Sequence, residues 1–333
     1  MFEVQSYFLA FILCFLAMVC WGSWQNIRNV TKHPWRFELF YWDFSIGILT
    51  LSLLTVFTLG SIEPSNRTFV QDIAQAQIRF MLPAMLGGFI WNLGTLLLTA
   101  GIATTGMAVA FPIGGGMGWI LGIVVNYLGK PEGDPIWLFT GCTVIIVAIV
   151  YSMLSYKKRA VSQQKSTKGV VYSLAAGIFI AFFYRFVMMS ISDDISPTYT
   201  GGALTPYTSV LFFALGAFVS TLLFNPCFMQ HPAEGKPVTI RDYFKGSMKI
   251  HLIGMLGGMI WCIGQVLSVM SANAVSPAIA YGLSNGAPIV AALWGIFVWK
   301  EFKNAPKGTN RLLIQMFLFY LTGLSLIIYS RYA

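Results

Sequence analysis

Residues 85–94 read Met85-Leu86-Gly87-Gly88-Phe89-Ile90-Trp91-Asn92-Leu93-Gly94, and residues 255–264 read Met255-Leu256-Gly257-Gly258-Met259-Ile260-Trp261-Cys262-Ile263-Gly264. Seven of the ten positions are identical at a constant offset of 170. The register continues without a gap into the next apolar run. There Ala108 meets Ala278, Ala110 meets Ala280, Phe111 meets Tyr281 and Gly116 meets Gly286. A shared Trp and paired glycines make chance similarity of two apolar segments a poor explanation.

Composition says what is repeated. Of 333 residues, 56% are hydrophobic and only 10% charged. Ordinary globular domains hold about 25% charged residues, so this chain has too little charge to cover a soluble surface. A membrane helix needs about 20 mostly apolar residues. Ten such runs are read, at about 8–28, 38–60, 80–101, 104–128, 135–156, 169–191, 201–225, 250–271, 274–300 and 312–331. The repeat then equates helices three and four with helices eight and nine, which gives two five-helix halves. Five is odd, so the second half enters the membrane in the opposite direction. The expected fold is an all-α polytopic membrane protein of ten transmembrane helices, built as two inverted five-helix repeats. The halves are residues 1–156 and 169–333, joined by a short linker at 157–168. Inverted repeats mark secondary transporters, whose solute site lies near the midplane between the halves. One chain supplies both halves, so a monomer suffices.

Charge sets the expected direction. The loops after helices one, five, seven and nine carry Arg28, Lys32 and Arg36; Lys157, Lys158, Arg159, Lys165 and Lys168; Lys236, Arg241, Lys245 and Lys249; and Lys300, Lys303, Lys307 and Arg311. The other side carries Arg67, Arg79, Lys130 and Arg331. Cytoplasmic loops hold the excess of Lys and Arg. This places both termini outside the cell membrane and the 157–168 loop in the cytoplasm. The net charge of +9 is thereby read as orientation in the bilayer and not as nucleic-acid binding. The first residues carry no Lys or Arg ahead of an apolar run long enough to span, so no cleavable signal peptide is expected. Cys14, Cys20, Cys142, Cys227 and Cys262 form no CxxC pair, and His33, His231 and His251 are scattered, so no metal site is expected.

The candidate chemistry clusters at mid-depth. Helix four is interrupted by Pro112-Ile113-Gly114-Gly115-Gly116, and helix nine by Gly282-Leu283-Ser284-Asn285-Gly286-Ala287-Pro288. Loosened helices are tolerated in a bilayer only where protein or a cavity satisfies the freed backbone groups. Paired interruptions in the two halves point to a transport site, although Gly114, Gly118 and Gly122 also have the spacing for close helix packing. Trp91 and Asn92 in helix three, Trp261 and Gln265 in helix eight, Ser284 and Asn285 in helix nine, and Trp21, Ser23, Trp24 and Gln25 in helix one fall near the same depth. Amides donate and accept, and indoles offer flat apolar faces. Together with Gly115 and Tyr184 they suit a small neutral polar solute. The expected cavity is built from helices one, three, four, six, eight and nine.

Charges within spans are costly and each is a functional candidate. Asp43 in helix two can carry a coupled proton, or form an ion pair or hydrogen bond near the inner surface, for instance with Arg36. Arg185 in helix six can contact the solute or pair with Asp193 or Asp194. Glu38 and Glu301 sit at helix ends, where caps and salt bridges are usual. Gly114-Gly115-Gly116-Met117-Gly118 lacks the Lys-Ser/Thr of a phosphate loop, so neither ATP nor any other cofactor is implied.

At this point the residues resemble a known family. Cys20-Trp21-Gly22-Ser23-Trp24 resembles the Trp-Gly signature of the drug/metabolite transporter superfamily. The segment Arg36-Phe37-Glu38-Leu39-Phe40-Tyr41-Trp42-Asp43-Phe44, followed by Phe57-Thr58-Leu59-Gly60-Ser61, resembles ureide permeases of plants and their bacterial relatives. The glucose/ribose porter family is a more distant match. The resemblance spans nearly the whole chain. It implies a five-plus-five fold and proton-coupled movement of ureide-like or nucleobase-like solutes, or of sugars. Ureide permeases carry a long cytoplasmic loop after helix five with a nucleotide-loop-like motif; here that loop is short and has none. Three other readings remain at this stage. A metabolite or drug exporter belongs to the same superfamily. A membrane-embedded enzyme needs a clustered nucleophile or metal set, which is not seen. A channel or receptor would more naturally show rings of charge or repeated carbonyl filters.

Overall fold

A computed structural model describes residues 1–30, 35–62, 65–159 and 166–333. Ten helices are long and apolar enough to cross a membrane: α1 Tyr7–Ile27, α2 Phe37–Phe57, α3 Ile78–Thr105, α4 Met107–Gly129, α5 Pro135–Lys158, α6 Thr167–Met188, α7 Pro206–Gln230, α8 Met248–Val275, α9 Pro277–Val298 and α10 Thr309–Tyr329. Among the described residues there is no strand, only an isolated bridge between Ile191 and Leu204. The protein is a multi-pass membrane protein. Large apolar side chains stay exposed on its perimeter, such as Leu53 and Leu54 on α2, Leu222 and Leu223 on α7, and Ile314 and Leu318 on α10. In lipid these faces need no protein partner.

The two ends of the chain meet. Arg331 donates a hydrogen bond to the Tyr7 hydroxyl at 2.9 Å, and Tyr332 lies edge-on to Tyr7. The helices therefore have a terminal face, and opposite it a basic face formed by the connections after α1, α5, α7 and α9.

Interhelical contacts recur at the repeat spacing. On α3, a methyl group added at Gly88 would overlap the carbonyl of Phe213 on α7, and one at Gly216 on α7 would overlap that of Met85. On α8, Gly258 meets the Phe44 carbonyl of α2 in the same way, and Gly47 meets that of Met255. The glycines let two helix pairs cross backbone against backbone, as small residues do in membranes. Further matched positions turn the chain between spans. Gly106 joins α3 to α4 with φ 77°, and Ser276 joins α8 to α9 with φ 105°. Each is a single residue in a region that a non-glycine residue adopts at a cost of order 1–3 kcal/mol. Ser276 offsets part of this by accepting a hydrogen bond from the Ile279 amide at 3.3 Å.

Several boundaries differ from the sequence reading. The seventh helix starts at Pro206 and not near 201: Thr205 accepts from the Thr208 amide and Pro206 occupies the first turn, a standard start signal. It then runs through Pro226 to Gln230, which shortens the connection read as 226–249, and that connection holds a short helix, Ile240–Phe244. The third and eighth helices run on to Thr105 and Val275. Of the 157–168 linker, residues 160–165 lie outside the described residues, as does His33.

Candidate functional site

A cavity of about 130 Å³ lies among the helices at mid-depth. Its wall comes from α1 (Trp21, Trp24, Gln25), α3 (Trp91, Thr95, Leu98), α4 (Phe111, Gly115), α6 (Ile180, Phe183), α8 (Trp261) and α9 (Asn285, Ala287, Pro288). These are the six helices from which a midplane cavity is expected.

Its walls are aromatic because the repeat places one Trp from each half against the other. The Trp91 and Trp261 ring centroids are 3.9 Å apart. Trp21 stacks on Trp261 at 5.7 Å with planes 14° apart, and its indole nitrogen donates to the Trp261 carbonyl at 3.2 Å. Phe213 stacks on Trp261 from α7 at 5.5 Å, and Trp24 packs on Phe44 at 4.3 Å. The interruptions of helices four and nine reach this wall. In α4 the segment Pro112–Gly116 is a π-helical turn, and in α9 the helix breaks after Ser284 and resumes at Ala287. The π turn and the break bring Gly115, Asn285, Ala287 and Pro288 to the cavity. Asn285 spends one amide hydrogen on the Tyr281 carbonyl, at 3.0 Å. Gln25 adds a second amide. Among the described residues no acidic or basic side chain lines the cavity.

The remaining sequence candidates lie elsewhere. Asn92 is buried and both polar atoms of its amide are engaged: the oxygen accepts from the Tyr41 hydroxyl at 2.9 Å and the Thr221 hydroxyl at 3.2 Å, and the nitrogen donates to Ser220 at 3.1 Å. It ties α3 to α2 and α7 and does not line the cavity. Tyr184 is buried, donating to the Ser268 carbonyl at 2.9 Å and accepting from its hydroxyl. Arg185 packs against Gly129 of α4. It pairs with neither Asp193 nor Asp194: Lys130 takes Asp193 at 3.4 Å, and Asp194 caps the Ser196 amide. Gln265 and Ser284 are fully buried, and neither amide atom of Gln265 nor the hydroxyl of Ser284 has a hydrogen-bond partner. Gln265 sits one turn beyond Trp261 toward the terminal face. That side of the cavity is packed: the Tyr281 hydroxyl donates to the carbonyls of Gly118 and Ile180, and the Trp119 indole to that of Gly282.

Sequence reasoning passed over Thr95, Leu98, Phe111, Ile180, Phe183 and Ala287 as wall residues. Thr95 and Leu98 follow Trp91 by four and seven positions, so helical spacing from the Trp was the available signal.

Toward the basic face a vestibule of about 470 Å³ opens. It is lined by Leu96, Thr99 and Ala100, on the turns of α3 that follow the cavity, and by Arg28, Trp35, Arg36, Glu38 and the 233–235 segment. Arg36 pairs with Glu38 at 3.0 Å. Asp43 does not pair with Arg36. It is buried and accepts from the Tyr243 hydroxyl at 2.6 Å and from His251 Nδ1 at 3.0 Å. Burial and the adjacent Asp43 carboxylate push the Tyr243 phenol up, which keeps its proton in place to donate. Trp35 stacks on Tyr243 at 5.6 Å and meets His251 edge-on at 4.9 Å. No group of metal-ligating side chains occurs among the described residues.

Comparison with known proteins places this architecture. A family model described as ureide permease matches residues 40–168 and 154–330. Ureide permease 1 of Arabidopsis thaliana is 22% identical over 386 aligned positions, covering 99% of both chains. A probable glucose uptake protein, GlcU, of Staphylococcus aureus is 23% identical over 318 positions, covering 91% of this chain and 93% of that one. A crystal structure sharing 13% identity superposes with a TM-score of 0.62 over 98% of this chain and 100% of the other, which establishes likeness of fold.

Proposed function

The chain belongs to the ureide permease family and is a transporter, not an enzyme; on that premise we propose that it moves a small, neutral, planar solute across the cell membrane by alternating access. The observation that carries this reading is the cavity wall: four indoles, two amides, a threonine and, among the described residues, no ionised side chain. Indoles bind flat faces, amides read donors and acceptors, and the absence of charge disfavours an ionic solute. A volume near 130 Å³ is close to that of an engineered cavity of about 150 Å³ that binds benzene. Of the solute classes in the relatives' names, a ureide ring fits these features better than glucose, and a nucleobase shares them.

Alternating access is supported by the asymmetry of the two sides. The vestibule opens on the basic face, and Tyr184, Tyr281 and Trp119 pack the other side. The matched glycine crossings and matched turns at 106 and 276 support two inverted halves, 1–156 and 169–333, about a linker at 157–168. With the basic face in the cytoplasm, both termini lie outside and the site is open inward. A monomer is the working unit. Gln265 and Ser284, buried without partners, become solute or water contacts when the terminal side opens.

Asp43 is the proposed proton carrier. The titratable groups facing it are Tyr243 and His251, with the Arg36–Glu38 pair farther off at the start of α2, five to seven residues earlier. Ionised, the carboxylate accepts both hydrogen bonds. A proton on it converts an acceptor to a donor and weakens that arrangement, which links proton uptake to the contact between α2, α8 and the connection before α8. Purified protein in proteoliposomes tests the reading. Counterflow of a labelled ureide, stimulated by the same solute on the far side, is expected. Flux without trans-stimulation, or thermal stabilisation by hexoses alone, refutes it.

A further inference from the structure

The connection between α2 and α3 is fastened to the connection between α6 and α7 through charges that have no contact with water. Arg67 and Asp72 have side chains 0% exposed and are joined at 2.7 Å. The second oxygen of Asp72 accepts from the Thr205 amide at 2.8 Å and the Thr205 hydroxyl at 2.9 Å, and Thr205 is the cap of α7. The other two Arg67 nitrogens donate to the carbonyls of Asp194 at 3.3 Å and Ala203 at 3.2 Å, and its guanidinium lies 4.5 Å over the Tyr199 ring. Gln75 completes the seam, donating to the Ala203 carbonyl and accepting from the Gly202 amide.

The basic face carries the related arrangement in looser form. The connection from α7 to α8 meets Arg36, which precedes α2 as Thr205 precedes α7 but makes no side-chain cap. Arg36 donates to the carbonyls of Lys236 at 2.8 Å and Glu234 at 3.1 Å. Both connections contain a short helix opened by a threonine capping box, Thr68 with Gln71 and Thr239 with Asp242. Their hydration differs: the Arg36 side chain is 33% exposed and borders the vestibule, whereas Arg67 is dry.

We infer that the Arg67–Asp72–Thr205 cluster is the latch that shuts the terminal side; the Arg36 bonds to the 234 and 236 carbonyls are made while the vestibule stands open, so they are no latch for the basic side. The chemistry suits a gate. A buried ion pair whose hydrogen bonds are all made adds little net stability over its hydrated state, yet half-made it is costly. Such a seam closes in one geometry only and reopens into water without a large penalty. The inference rests on the alternating-access reading, and it assigns to that cycle residues remote from the cavity.

The test uses full-length protein with its five cysteines replaced by alanine, in proteoliposomes. Counterflow by this background is measured first; its absence sinks the alternating-access reading and with it this inference. With counterflow present, Gln75→Cys with Ala203→Cys is cross-linked by a short bis-thiosulfonate, which forms a disulfide with each thiol, releases two sulfinates and is cleaved by reducing agent. The expected result is flux reduced at least about tenfold, restored on reduction, with solute-induced thermal stabilisation retained. In a separate arm, Gln265→Cys reports opening toward the terminal face by its rate of reaction with a membrane-impermeant thiol reagent. Asp72→Asn is expected to raise that rate about tenfold, the size of shift that one factor of ten in a two-state equilibrium gives, and Arg36→Gln, whose bonds hold with the vestibule open, to leave it unchanged. Cross-linked protein that transports at the uncross-linked rate, or equal labelling in both variants and the parent, overturns the assignment.

Discussion

Replacing Trp261 by leucine separates solute recognition from packing. Trp261 makes ring contacts with Trp21 at 5.7 Å, Trp91 at 3.9 Å and Phe213 at 5.5 Å. Leucine keeps an apolar branched side chain, and the Trp261 carbonyl still accepts the Trp21 indole hydrogen. Three lost aromatic pairs at about 0.5–1.5 kcal/mol each cost about 1.5–4.5 kcal/mol of stability. A planar solute loses one stacking face, worth about 1–3 kcal/mol by the measure of bases on aromatic side chains. At about 1.4 kcal/mol per tenfold, Kd rises about 5- to 150-fold. The control is Trp137→Leu, which removes the contact with Tyr329 at 4.9 Å, where Trp137 is no part of the cavity wall. It is expected to lower thermal stability and leave Kd unchanged. Calorimetric titration of detergent-purified protein, with a thermal melt of each variant, reads both quantities. A folded Trp261→Leu protein that binds within twofold of wild type refutes the stacking argument, and so does an equal loss in the control.

Asn92→Leu and Gln265→Leu are expected to move stability in opposite directions, because the Asn92 amide makes three hydrogen bonds and that of Gln265 has no partner among the described residues. The first loses about 1–3 kcal/mol and the second gains a similar amount in the form with the basic-face vestibule open, while transport falls; thermal melts and uptake assays decide. Gly88→Ala and Gly258→Ala each force a methyl group into a facing carbonyl, and each is expected to cost about 1–3 kcal/mol as overpacking; a melting temperature unchanged in either would show that its crossing relaxes freely. Asp43→Asn is expected to abolish accumulation driven by a proton gradient and to keep counterflow, since the amide cannot carry the proton; preserved accumulation removes Asp43 from coupling.

Helix number, the mid-depth cavity and its indoles were all legible in the chain, and for one reason. In a bilayer, depth is a linear function of sequence position: a span starts where charge stops, and each residue advances about 1.5 Å. Trp91, Trp261 and Asn285 could thus be placed at one level from counting alone. The helix breaks at Pro112–Gly116 and Ser284–Ala287 were likewise visible in Gly and Pro.

Azimuth was not legible. In a soluble protein the polar face of a helix identifies itself, because water and core differ. Here lipid and protein interior are both apolar, so the perimeter residue Leu86 and the core residue Leu96 of α3 look alike in sequence. Polar residues at the right depth then divide by direction alone. Asn92, next to Trp91, turns away from the cavity into a hydrogen-bonded junction of α2, α3 and α7, while Asn285 reaches the wall because α9 breaks there. Partners were hidden for a related reason. Arg36 is the nearest cation to Asp43 in sequence, but the contacts that hold Asp43 come from residues about 200 positions away, Tyr243 and His251. Those pairings follow from how α2 is laid against α8 and the connection before it. In the proposed alternating cycle, contacts between the two proposed halves are the ones broken and remade. The contacts hardest to see in the sequence are then the ones from which the proposed latch is made: Asp72, paired with Arg67 in one loop of the sequence, is met by Thr205 from 133 positions away.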